Sequence, residues 1–126
     1  MMDPAGEVWN RAAMENGGSS PRRGDRALAD ALLVQGMMMN GGVDHCIEAV
    51  SDEELVAAIE GFRYLGADEL ADVLSRARGL DIEDPKNQGA IERLNEDYGR
   101  AAPMDQVLVA LFESRFREAP EDFAPL

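Results

Sequence analysis

One cysteine, one histidine and one lysine are all that this chain of 126 residues contains of those types, and each scarcity removes a class of chemistry. The lone Cys46 has no internal partner for a disulfide, which fits a reducing compartment. The lone His45 leaves a Cys–His nucleophilic pair without a second imidazole to act as base. Zinc needs three or four ligands converging on one point. Asp44, His45 and Cys46 are consecutive, and consecutive residues on a helix splay apart by about 100°. Only Asp44 and Glu48 can share a face, so neither a metal nor a cofactor is expected. The glycine pairs Gly17-Gly18 and Gly41-Gly42 precede no strand-to-helix phosphate loop, and nucleotide binding is unsupported.

Long hydrophobic runs are missing too. Ala31 to Met39 is interrupted by Gln35 and Gly36 and is far too short to span a bilayer. Met1 to Glu15 carries early acids and no apolar stretch behind a basic start, so no secretory signal is expected and the protein reads as soluble and cytoplasmic. No segment shows the alternation of a half-buried strand.

What is present is negative charge. The formal net charge is −13, beyond the magnitude of roughly 2 to 8 that solubility asks of a small domain. Fifteen carboxylates and five basic side chains lie between Asp44 and Asp97, whereas residues 1–43 and 98–126 are close to balanced. Such a field repels nucleic acid and anionic lipid and attracts basic proteins at rates that fall with salt. The 45% hydrophobic content is grouped in spaced sets that can be buried, so a folded core is expected despite the charge.

Helical spacing dominates the chain. Glu7 to Met14 allows two turns with Trp9 and Ala13 on one side, and Asn16 to Pro21 breaks it. Arg22 and Arg23 fall in that break, read as a flexible polar connection. From Gly24, Leu28, Leu32 and Leu33 recur at helical spacing and run into Met37 and Met38, the expected central helix, which Asn40-Gly41-Gly42 should end through a left-handed cap. Val43 to Val50 allows a short helix. Ser51 with Glu54 three residues on is a capping box, opening a helix with Leu55, Val56, Ile59 and Phe62 inward and Gly61 and Gly66 bracketing its end. Asp68 and Glu69 open the next, with Leu70, Val73, Leu74 and Ala77 inward and Gly79 closing it. These two should pack antiparallel as an αα-hairpin. Asp81 to Gly89 reads as loop, Ala90 to Tyr98 as a short helix, and Met104 to about Glu118 as the last. The fold class is all-α, a compact single-domain bundle of about five to seven helices, with residues 1–23 a short helix and connection and residues 24–123 the main helical domain.

Gly24-Asp25-Arg26-Ala27-Leu28, Met39-Asn40-Gly41-Gly42 and Phe62-Arg63-Tyr64-Leu65-Gly66 together resemble a bacterial family of small helical domains marked by an N-G-G turn followed by a helix. Leu94 to Tyr98 and Phe116 to Phe123 look like that family's late Tyr helix and its Pro-Glu-x-Phe tail. The best-known member is an acidic DNA mimic, a dimer that occupies the DNA-binding surface of a transcription factor. The resemblance implies an all-helical fold, a protein partner and a homodimeric state, and it brings no catalytic residue. After N-G-G the family has aromatics near a glutamine, where this chain has Val43, Asp44, His45, Cys46 and Ile47.

Duplex DNA presents about one negative charge per 1.7 Å of axis, and carboxylates on exposed helix faces can imitate that array. Asp52, Glu53, Glu60, Asp68, Glu69 and Asp72 lie off the apolar stripes of the αα-hairpin and are the candidate partner-binding face; Glu83, Asp84, Glu92, Glu96 and Asp97 could extend it. The plain alternative is a solvated surface whose acids stabilise helix starts, typically by roughly 0.3 to 1 kcal/mol each. That explains Asp52, Glu53, Asp68, Glu69 and Asp105. It does not explain the shortage of lysine. The expected activity is therefore non-enzymatic. A basic protein is the expected partner, either a DNA-binding regulator or a toxin held by an immunity-type inhibitor; neither nucleic acid nor membrane is. Self-assembly through Trp9 and Met37 to Met39, and an enzyme built on Asp44 to Glu48, are the competing classes.

Overall fold

The computed structural model describes residues 3–126 and folds them into six α-helices, with no strand among the described residues. In chain order they are α1 (Pro4–Glu15), α2 (Arg23–Ala49), α3 (Asp52–Tyr64), α4 (Asp68–Ala77), α5 (Gln88–Ala101) and α6 (Gln106–Glu118), with single 3₁₀ turns at Pro85–Asn87 and Pro120–Asp122. The long α2 forms the spine against which α1, α3 and α5 pack, and α4 lies between α3 and α5.

Local chemistry sets most of the boundaries. Asp3 accepts a hydrogen bond from the Gly6 N–H at 2.7 Å, and Pro4 takes the first helical position, where its missing N–H costs nothing. At the start of α3 the capping box is closed in both directions. Ser51 Oγ accepts from the Glu54 N–H at 3.1 Å, and Glu54 Oε1 accepts from the Ser51 N–H at 2.9 Å. The α3–α4 turn is a Schellman motif. Gly66 (φ 84°) supplies the left-handed residue, and the Gly66 and Ala67 N–H groups donate to the carbonyls of Arg63 and Phe62. Gly79 (φ 81°) follows α4 differently: with Arg78 extended at φ −61° and ψ 128°, it is the left-handed residue of a type II turn in which the Leu80 N–H donates to the Ala77 carbonyl at 3.1 Å.

Two glycine expectations are corrected. Asn40-Gly41-Gly42 does not end the central helix: α2 continues to Ala49, and only Gly42 leaves helical geometry, at φ 79° and ψ −168°. The helix resumes because the Val43 N–H freed by this kink is taken by Asn95 Oδ1 of α5 at 2.8 Å. Gly61 likewise lies inside α3, buried against α2, where a β-carbon would stand 2.4 Å from the Ala27 carbonyl oxygen. It permits a close helix crossing, and Gly66 alone ends the helix.

The core runs through all six helices, with Phe62, Phe112, Leu28, Leu70, Leu74 and Leu108 among its largest fully buried side chains. The inward face of α2 is Leu28, Ala31, Val34 and Met38; Leu33, expected inward, is 39% exposed. At the other end Tyr64, Phe112, Phe116 and Phe123 form a ring cluster with centroids 5.2 to 6.5 Å apart. The Tyr64 hydroxyl donates to Asp122 Oδ2 at 2.7 Å; burial, and then this carboxylate, push its pKa well above the ordinary tyrosine value.

Candidate functional site

The antiparallel run of α3 and α4 determines what the candidate acids meet. Asp52 starts α3 and so lies beside the end of α4, where Arg78 grips it with two hydrogen bonds of 2.7 and 2.8 Å. That fork holds the Asp52 carboxyl below the ordinary aspartate value. Arg63, at the end of α3, reaches back to Asp72 of α4 at 2.9 Å. Both pairs are solvent-exposed, where such contacts stabilise little. They nonetheless remove two of the six candidate carboxylates from the unpaired set.

All six acids are exposed, and Glu53, Glu60, Asp68 and Glu69 form no ion pair among the described residues. They do not share one groove. Glu60 lines a cleft between α2 and α3 together with Arg23, Arg26, Asp30 and Tyr64. Burial, and next the neighbouring Glu60, raise the pKa of Asp30, while Arg26 pulls it down. Glu69 and Asp72 instead line a cleft between α4 and α5, where Arg76 and Arg100 bind Asp97 at 3.2 and 2.6 Å. Glu53 and Asp68 mark opposite ends of the hairpin, each in a first helical turn where unpaired N–H groups favour negative charge.

The Asp44 to Glu48 stretch lies in the part of α2 beyond the kink. Cys46 points into the core, where burial pushes its thiol up to about 11, and Asp44 and Glu48 face solvent. Among the described residues no group of three or more His, Cys, Asp or Glu side chains is placed to hold a metal ion, and no helix is long and apolar enough to cross a membrane. Of the family turn residues, Asn40 and Gly41 are exposed on α2 and Gly42 abuts Asn95.

Helical spacing alone left two features unseen. One is a groove of about 480 Å³ between α1 and α2, lined by Trp9, Ala13, Met14, Leu32, Leu33, Gly36 and Met39 together with the polar Asn16 and Gln35, with Asp105 its one ionisable group. Met14 is 83% and Met39 52% exposed. Two buried polar groups reach toward its floor: the Tyr98 hydroxyl donates to Gln35 Oε1, and Gln35 Nε2 donates to Asp105 Oδ1 at 3.2 Å. The other is Asp25, which the sequence offered only as part of a motif and which is fully buried.

These features define a small all-α domain that exposes carboxylates on a helical hairpin. The model of the DMP19-like protein family matches residues 21–124, and the chain belongs to that family. No curated protein and no solved structure matches the chain. The family match begins after α1, so this helix lies outside the matched region.

Proposed function

We propose that this protein is a non-enzymatic interaction module that imitates DNA, presenting carboxylates to the basic surface of a nucleic-acid-binding protein and occluding it. The observation that carries this reading is the set of exposed, unpaired carboxylates Glu53, Glu60, Asp68 and Glu69 on the α3–α4 hairpin of a chain with net charge −13. Membership of the DMP19-like family, a family of DNA mimics, supports the same direction. Physically, an arginine or lysine that ordinarily displaces cations from a phosphate would pair with one of these side chains instead. An immunity-type inhibitor of a basic toxin would use the same surface in the same way.

The test is capture of basic proteins from the native cell extract on the immobilised protein, followed by affinity measurement across a salt series. Four charges acting with the scaling of duplex phosphates lose about a hundredfold in affinity between about 50 and 200 mM salt. The combined variant Glu53→Gln, Glu60→Gln, Asp68→Asn and Glu69→Gln should weaken capture and flatten that dependence. Affinity indifferent to salt in the unmodified protein would overturn the proposal.

The α1–α2 groove favours a second reading, self-association. Apart from Asp105, its walls belong to the nearly balanced first third of the chain and carry no charge, so two copies meeting there bring fewer like charges together than copies meeting through the acidic hairpin. Sedimentation equilibrium separates the readings, because association through this groove persists in high salt and is lost with Met39→Glu.

A further inference from the structure

A carboxylate removed from water persists only where donors surround it, and Asp25 is such a group, fully buried in the first turn of α2. Its Oδ1 accepts from Arg11 Nη2 of α1 at 2.8 Å, and its Oδ2 accepts from the Arg22 N–H at 3.0 Å and the Ala124 N–H at 2.7 Å. Three stretches distant in sequence therefore meet on one side chain. Arg11 extends the junction, donating from Nη2 to the Ala124 carbonyl at 2.9 Å and from Nη1 to the Pro125 carbonyl at 3.0 Å. The segment after α6 is itself anchored. Phe123 is buried, and its ring packs so tightly on Gly24 that a β-carbon there would stand 2.5 Å away.

The hold on α1 is of a different kind. This helix buries only Val8 and Ala12, and Trp9 adds a ring contact to Phe112 at 5.8 Å. Among the described residues Arg11 forms the ion pair that ties α1 to the rest of the fold, and its Nε is buried with no hydrogen-bond partner among them. A 12-residue helix is marginal in water on its own, so once undocked α1 loses its helical order.

We infer that α1 is a lid, hooked to Asp25 and to the segment around Ala124 by Arg11, that opens as a unit while α3, α4 and α5 stay folded. Opening uncovers Phe112 and Ala29 and takes away the Trp9 and Met14 side of the α1–α2 groove. The Arg11 clasp thereby decides whether that groove exists, whichever partner the acidic face takes. Asp25 keeps its two backbone donors when Arg11 leaves, which is why the body of the bundle survives the opening.

Hydrogen exchange followed by mass spectrometry on the full chain tests this, with Arg11→Met retaining the stem that packs on Gly18 and deleting its three donated bonds. Losing hydrogen bonds to a charged group should raise exchange of the residue 5–15 amides by about tenfold to a hundredfold, with α3 and α4 unchanged and a red shift of Trp9 emission. Unchanged exchange in α1, or equal acceleration in α1, α3 and α4, would overturn the inference. In the unmodified protein, exchange measured in rising urea should separate α1 from α3 and α4 before global unfolding. Coincident exchange of the three helices at every urea concentration would equally refute it.

Discussion

Gly61 offers the sharpest check on the packing, because steric cost and helix propensity push one substitution in opposite directions. Gly61→Ala places a methyl group 2.4 Å from the Ala27 carbonyl oxygen. That oxygen belongs to the backbone of α2, held in its own helical ladder, so it cannot swing aside as the tip of a side chain would. Relief requires α3 to move away from α2 along the largest helix–helix contact in the molecule, and overpacking of this kind costs about 1 to 3 kcal/mol. Alanine in a helix interior returns about 1 kcal/mol relative to glycine. With a clash this deep the steric cost wins, leaving a net loss of up to about 2 kcal/mol, or up to about 10 °C in Tm for a domain of this size. Gly36→Ala is the matched control. Gly36 also lies within α2, but nothing stands within 4 Å of its β-carbon position, so only the propensity gain of up to about 1 kcal/mol remains. Urea unfolding followed by circular dichroism should move the two midpoints in opposite directions at equal slope. A Gly61→Ala midpoint at or above that of the unmodified protein would show that the α2–α3 crossing is not backbone-limited.

Asn95→Ala removes the acceptor that satisfies Val43 N–H at the α2 kink, and an uncapped donor there should cost about 1 to 2 kcal/mol, read as a lower urea midpoint and faster exchange of amides 43–46. Asp30 gives a pH signature. Its folded-state pKa stands above the ordinary 3.8, so its stabilising contribution is complete below that value and disappears as pH rises through the raised one. Asp30→Asn should therefore raise the urea midpoint at pH 7 and lose this advantage near pH 3.5; an equal gain at both pH values would contradict the assignment. Cys46, buried and with its thiol pushed up to about 11, should resist alkylation at pH 8 in the native protein and react promptly in denaturant. Native labelling at the rate of a free thiol would show that the second half of α2 is open.

The helices were legible wherever a local signal sufficed. Ser51 and Glu54 announce the start of α3 because the capping box is made entirely within four residues, and Gly66 and Gly79 mark ends because a positive φ is a property of one residue. Legibility failed where the cause lay in another helix. Nothing near Asn40-Gly41-Gly42 says that Asn95, 52 residues beyond Val43, will cap the resumed helix. Nothing near Gly61 says that Ala27 approaches it. Leu33 and Val34 are both apolar, and only the packing of other helices on α2 decides that Val34 is buried while Leu33 helps wall a groove. Among the candidate acids, exposure was readable from the position of each off the apolar stripe. Pairing was not, because Arg78 and Arg63 reach Asp52 and Asp72 across the hairpin, a consequence of antiparallel packing.

That pairing changes how strong a charge array the hairpin can be. From Asp52 to Arg78 there are seven carboxylates and three arginines, a net charge of −4. The 13 residues of α3 span about 20 Å. Duplex DNA carries about 12 charges over that distance, roughly three times as many. The hairpin alone is thus a dilute copy of a phosphate backbone, and a partner gripping only this face would have less to exchange than it has on DNA. Two routes close the gap. The arginines of Asp52 and Asp72 are on exposed, weakly held pairs, so basic side chains of a partner can take their place without a large penalty. The other is area: Glu83, Asp84, Glu92 and Glu96, between α4 and the end of α5, continue the negative surface beyond the hairpin. A partner whose footprint reaches α5 would meet a larger field than one confined to α3 and α4, at a similar density because Lys86, Arg93 and Arg100 lie among the added acids. Charge reversal at Glu92 and Glu96 therefore weighs as heavily in the mimic reading as reversal at Asp68 and Glu69.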